Sequence, residues 1–152
     1  MDIKKVLAFK GSSVFFVRPD SLLSEAVKLL HEKGIGAVLV KEDEEGKILG
    51  VLSERDVIRV IAEQGIEALQ DAVANAMTRA VVACTSDTSV DSVIEGMSKY
   101  KVRHLPVFEG DQLVGMVSAR DLMHYRIKEL KSGEEPRFDP WFTKGKVYPL
   151  GG

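Results

Sequence analysis

The chain has 152 residues, 45% of them hydrophobic, and a formal net charge of -2 at neutral pH. That suits one compact domain or two small subdomains sharing a core, and it argues against the broad basic surface that binds nucleic acid backbones. Cys84 is the only cysteine, so no internal disulfide can form. With no leader-like segment and only short apolar runs such as Gly36 to Val40, a cytoplasmic address is expected and membrane insertion is not.

In chain order, Ile3, Val6 and Leu7 predict a short helix before Gly11-Ser-Ser. Val14 to Val17 is a β-prone run, and Arg18 to Ser21 is a turn that can cap a helix. The following helix carries Leu23, Ala26, Val27 and Leu30 at three- and four-residue spacing. Strands are predicted over Ala37 to Val40 and Ile48 to Leu52, on either side of the acidic turn Lys41 to Lys47. A second helix is predicted to bury Val57, Ile58, Ile61 and Ala62. Gly65 to Ala76 reads as a short connecting helix with Ala68, Leu69, Ala72 and Val73 on one side.

The order then repeats. Val81 to Cys84 is a strand, Thr85 to Thr88 a turn, and Val90, Val93, Ile94 and Met97 mark a helix. Strands His104 to Phe108 and Leu113 to Val117 precede a last helix burying Leu122, Met123 and Ile127. Past Leu130 the periodicity stops; residues 131–152 hold Phe138, Trp141, Phe142 and Tyr148, and read either as a loose terminal tail or as an arm that docks its rings on its own domain or a second subunit.

The two halves align 67 residues apart as far as Val40 and Val107, and 65 apart beyond, the difference falling in one turn. Each unit is β-α-β-β-α, and neither alone can bury both faces of its sheet. The same phrase opens both closing helices: Gly50-Val-Leu-Ser53-Glu-Arg55-Asp56 and Gly115-Met-Val-Ser118-Ala-Arg120-Asp121. One reading is a capping box, with Ser accepting a backbone N–H and the acid reaching back. The other is a site. A helix start favours phosphate, a guanidinium strengthens that, and a carboxylate accepts hydrogen bonds from a sugar diol. Together these describe a phosphoribose clamp, stated twice.

These phrases, with Ile35-Gly-Ala-Val-Leu-Val40, Val102-Arg-His-Leu-Pro-Val107 and Ala76-Met-Thr78 before Val81-Val82, resemble a pair of cystathionine-β-synthase (CBS) domains over roughly residues 3–130. The resemblance implies an α/β (α+β) fold of two repeats packed face to face around a pseudo-twofold axis. The first would span residues 1–66 with the N-terminal helix, the second 67–130 with the connector, and 131–152 would form a tail. It also implies two clefts for adenosine compounds. One would combine Ser53, Arg55 and Asp56 with Thr78, Val81, Ala83 and Val102, Arg103, His104 and Leu105. The other would combine Ser118, Arg120 and Asp121 with Gly11, Val14, Phe16, Ile35, Gly36 and Ala37. Arg103 and His104 stand where the first repeat has Gly36 and Ala37, so the first cleft is expected to hold a phosphate-rich nucleotide more tightly.

His31 and His124 have no companion ligands, and no Walker, Gly-x-Gly-x-x-Gly or Gly-x-Ser-x-Gly phrase occurs, so neither a metal site nor catalysis is expected. The expected function is a regulatory module that senses an adenosine nucleotide, AMP first and ADP, ATP or NAD(H) as alternatives, within a homodimer. The competing reading is an adaptor that holds a partner protein through its helices or tail.

Overall fold

The computed structural model describes residues 2–132. The expected arm, with its four rings, lies outside the described residues.

The chain runs α1 (Ile3–Lys10), β1 (Phe16–Val17), α2 (Leu23–Lys33), β2 (Ala37–Val40), β3 (Gly50–Ser53), α3 (Glu54–Gln64), β4 (Cys84–Thr85), α4 (Val90–Tyr100), β5 (His104–Glu109), β6 (Gln112–Ser118) and α5 (Ala119–Leu130). Two three-stranded sheets result, β1-β2-β3 and β4-β5-β6. In each, the outer strand pairs parallel with the middle one across an intervening helix, and the middle and last strands pair antiparallel as a hairpin. The predicted β-α-β-β-α unit is therefore present twice, in an α+β fold. Val17 lies opposite Val40 and Cys84 opposite Val107, so the 67-residue repeat holds at the level of register.

The connector departs from the predicted helix. Two 3₁₀ turns, Ile66–Gln70 and Val73–Asn75, are separated by Asp71 and Ala72. The break has a backbone cause: the Asp71 carbonyl accepts from Leu23 N–H, and Val73 N–H donates to the Ser21 carbonyl. The first repeat thus takes the hydrogen bonds that a continuous helix would make within itself.

Two of the helices turn a different face inward from the one predicted. On α3, Asp56, Val57 and Val60 are buried and Ile58 is 68% exposed; on α5, Leu122 and Tyr125 are buried, while Met123 is 62% and Ile127 47% exposed. In each repeat the third helical residue is an aspartate held against the serine before the helix. That fixes the rotation of the first turn and swings the residue two positions later outward. Ile94 on α4 also lies outside, at the edge of its stripe.

Core packing crosses the division between repeats. One core joins Leu23, Val38, Leu52 and Val60 to Ala68, Val73 and Met77 of the connector. The other joins Val90, Leu105, Val117 and Leu122 to Ile3, Val6 and Leu7. Helix α1, grouped with the first repeat in sequence, therefore packs on the second. Its start is fixed there by Ile3 N–H to the Thr88 carbonyl and Lys4 N–H to the Ser86 carbonyl.

Candidate functional site

Both copies of the doubled phrase sit at a strand-to-helix junction. Ser53 and Ser118 hold nearly the same extended backbone (φ -110° and -111°) and cap α3 and α5. Each forms a full capping box. Ser53 N–H donates to Asp56 Oδ2 at 2.9 Å and Asp56 N–H to Ser53 Oγ at 3.3 Å; the Ser118–Asp121 pair repeats this at 2.8 and 3.1 Å. The capping reading is therefore realised in both repeats. It does not use up the side chains, because both phrases also face open space.

That space is one continuous cleft of about 1420 Å³, lined by residues of both repeats. Of the predicted positions, Ser53, Arg55, Asp56, Thr78, Val81, Val102, Arg103, His104, Ser118, Arg120, Asp121, Val14, Ile35, Gly36 and Ala37 line it. Gly11, Phe16, Ala83 and Leu105 do not. The lining runs through Phe15 and Val82 and ends before Phe16 and Ala83, where the chain enters or approaches β1 and β4. Leu105, next to His104, is turned into the second core at 2% exposure. The Phe16 ring instead lies under the Lys41 ammonium at 4.7 Å, and Gly11, in the left-handed region at φ 94°, ends α1 by donating to the Leu7 carbonyl.

Three lining residues that the sequence reading missed matter for charge. Lys10, at the end of α1, ion-pairs with Asp121 Oδ2 at 2.8 Å and donates to the Met116 carbonyl at 2.6 Å. Glu54, first residue of α3, lies with its carboxylate near Gly36, where a β-carbon would stand 2.7 Å from Glu54 Oε1 and 2.9 Å from His104 Nε2. Lys101 ends α4 in the left-handed region at φ 54°. Lys10 stands 67 residues ahead of Met77 but before Val14, where the two halves begin to align, so the repeat carried no signal for it.

The expected division of charge between two clefts does not match the geometry. His104 lies directly opposite Ser118 in the β5–β6 ladder, which sets their side chains next to one another. The imidazole therefore stands by its own repeat's Ser–Asp pair, between the two phrases, with Asp121, Glu54, Lys10 and Arg103 around it. Burial holds it below its ordinary value, against the pull of Asp121 and Glu54. At Asp121, burial pushes the carboxyl up, but the hydrogen bonds from Lys10 and Ser118 and the lysine charge outweigh it and hold the group below its ordinary value.

The CBS domain profile matches residues 9–63 and 73–128, on the two repeats just described. The chain belongs to the CBS-domain family. It is similar to the CBS-domain containing protein ATU1752 from Agrobacterium tumefaciens, with a TM-score of 0.79, 39% identity and coverage of 82% of this chain and 92% of that one. It is 30% identical to the mitochondrial CBS domain-containing protein CBSX3 of Arabidopsis thaliana, over 84% of this chain and 65% of the relative. The CBS domain pair of protein MJ0100, solved in complex with 5'-methylthioadenosine and S-adenosyl-L-methionine, matches with a TM-score of 0.73 and 25% identity, over 85% of this chain and 98% of that one. No helix among the described residues is long and apolar enough to cross a membrane, and no described His, Cys, Asp and Glu cluster could hold a metal ion.

Proposed function

We propose that this CBS pair is a regulatory module that binds an adenosine-containing nucleotide in the cleft between its repeats, without catalysis. One observation carries the reading: both Ser-x-Arg-Asp phrases line the same cleft, together with other residues of each repeat. The adenosine compounds held by the MJ0100 pair support that ligand class. AMP is the first candidate, and ADP, ATP and NAD(H) share its ribose phosphate. Binding across two repeats favours one relative arrangement of them, and a partner reads that arrangement. The Cys84 thiol, pushed up to about 11 by burial, stays protonated at neutral pH and is no nucleophile.

The exposed apolar side chains Ile58, Ile94, Met123 and Ile127 lie on α3, α4 and α5 and support association of two copies through these helices. Thermal shift with AMP, ADP, ATP, NAD(H) and S-adenosylmethionine tests the ligand reading. A ligand at 100 times its Kd adds about 2.7 kcal/mol, a rise of roughly 5–10 °C for a domain of this size. No shift with any of them, and no nucleotide released on denaturing the purified protein, would refute it. Sedimentation at micromolar concentration tests the dimer.

A further inference from the structure

Outside the cleft, an apolar groove of about 240 Å³ lies between α4 and α5, lined by Ile94, Met97, Ala119, Leu122, Met123 and Arg126. It falls below the roughly 300–1,000 Å³ of a small-molecule site, so it suits a side chain better than a ligand. Arg126 is its one charged wall, and that guanidinium is already held by Asp91 and Glu129. The groove therefore calls for no ion. It offers apolar walls and a planar cation on which a ring can stack.

The groove shares Met123 with a row along α5. Met123, Ile127 and Leu130, at spacings of four and three, fall on one face of the helix. All three are exposed, Leu130 at 85%, and so is Ile94 on the facing helix. In the first repeat the matching positions are Ile58, Ala62 and the Gly65 that ends α3. A contact that used both repeats alike would need the row on both; only the second carries it.

The second repeat also has a segment that the first lacks. The row ends at Leu130, and beyond Ser132 residues 133–152 bring Phe138, Trp141, Phe142 and Tyr148. From Leu130, Met123 lies about 10 Å back along α5, a span that about four extended residues cover. Phe138 and Trp141 stand six and nine residues past Ser132, and Pro136 and Pro140 oppose a continuation of α5. A segment tethered this closely meets the groove at an effective concentration on the order of millimolar, which a second copy in dilute solution does not reach.

We infer that residues 133–152 are an arm that folds back on its own chain, seating the rings of Phe138, Trp141 and Phe142 over Ile94, Met123 and Ile127. The arm competes there with the second copy proposed above, and association through α4 and α5 requires its release. The inference is independent of the ligand reading.

Trp141 is the single tryptophan, so its emission in the full chain reports on the arm alone. In the parent it is expected at shorter wavelength, and with weaker acrylamide quenching, than in the urea-unfolded chain. Met123→Gln with Ile127→Gln is expected to move both readings to the unfolded values while helical circular dichroism stays unchanged. Ile58→Gln, the matching change on α3, is expected to leave them as in the parent. Ile94→Gln is expected to act as the α5 pair does, and it keeps the test open should that pair fail to fold. Trp141→Phe chains keep the groove and the α5 variant keeps the tryptophan, so in a mixture of the two Trp141 is expected to stay exposed. A parent whose Trp141 is quenched as in the unfolded chain would overturn the inference, as would a buried Trp141 indifferent to the α4 and α5 changes. Recovery of burial on mixing would assign the groove to the arm of a second copy and overturn it too.

Discussion

The doubled phrase opens on a glycine in each repeat, and the two glycines face different neighbours. A β-carbon at Gly50 would stand 2.8 Å from the Thr78 carbonyl oxygen and 2.8 Å from Met77 Sδ; at Gly115 it would stand 2.8 Å from Leu7 Cδ2. Thr78 cannot easily withdraw, because its N–H and carbonyl both pair with Val51, at 2.9 and 3.0 Å, and its hydroxyl with Asp56. Leu7 can turn. Gly50→Ala thus carries an overpacking cost of about 1–3 kcal/mol. Drawing Thr78 off Asp56 adds the loss of a hydrogen bond to a charged group, about 1.5–3 kcal/mol. The reduced freedom of the unfolded chain returns about 0.4–1 kcal/mol. The net expectation is a loss of about 1.5–5.5 kcal/mol. For Gly115→Ala, an off-rotamer Leu7 costs about 0.5–1.5 kcal/mol, and the same entropy gain nearly cancels it. Urea unfolding should show a lower midpoint at unchanged slope for Gly50→Ala, with a melting temperature lower by roughly 3–20 °C, and little change for Gly115→Ala. Equal losses, or a larger one at Gly115, would refute the reasoning.

Three further outcomes follow from groups around the cleft. Because the folded chain holds His104 below its ordinary value of 6.5, the unfolded chain binds that proton more readily. Stability is therefore complete above about pH 6.5 and falls as the pH drops below it. His104→Gln should flatten that slope, and an unchanged slope would count against the burial reading. Lys10→Met, which copies Met77, should raise the Asp121 carboxyl toward its ordinary value in a carbon-detected NMR titration. Since a depressed carboxyl stabilises above its unfolded value and loses that contribution as pH falls through the folded one, the variant's deficit should shrink in acid. Lys101 holds a left-handed φ of 54° where the first repeat has Gly34 at 61°, so Lys101→Gly should stabilise the chain by about 1 kcal/mol, read from the unfolding midpoint.

Period and register were legible in the sequence because they depend on local alternation. The strand pairs, the helix positions and the repeat offset all follow from where apolar residues recur. The inward face of each helix was less legible: Ile58 and Met123 look like core residues by hydropathy, yet the capped aspartates set the rotation and leave both outside. Within the site, Gly11, Phe16, Ala83 and Leu105 each lie one residue beyond a stretch that lines the cleft. The Thr78 hydroxyl's bond to Asp56 was beyond reach, since it joins residues 22 apart in the chain.

The crossed packing explains why two equal phrases could acquire unequal surroundings. Helix α1 precedes the first repeat but packs on the second, and from there Lys10 reaches Asp121. The connector precedes the second repeat but packs on the first, and from there Thr78 reaches Asp56. Each carboxylate is therefore tended by a segment drawn from ahead of the other repeat. That segment can change without disturbing the Gly-x-x-Ser-x-Arg-Asp phrase, which the strand-to-helix junction and its cap require in both places. The cap keeps the phrases alike, while the accessory segments, under no such constraint, set which partners each carboxylate has beyond its cap.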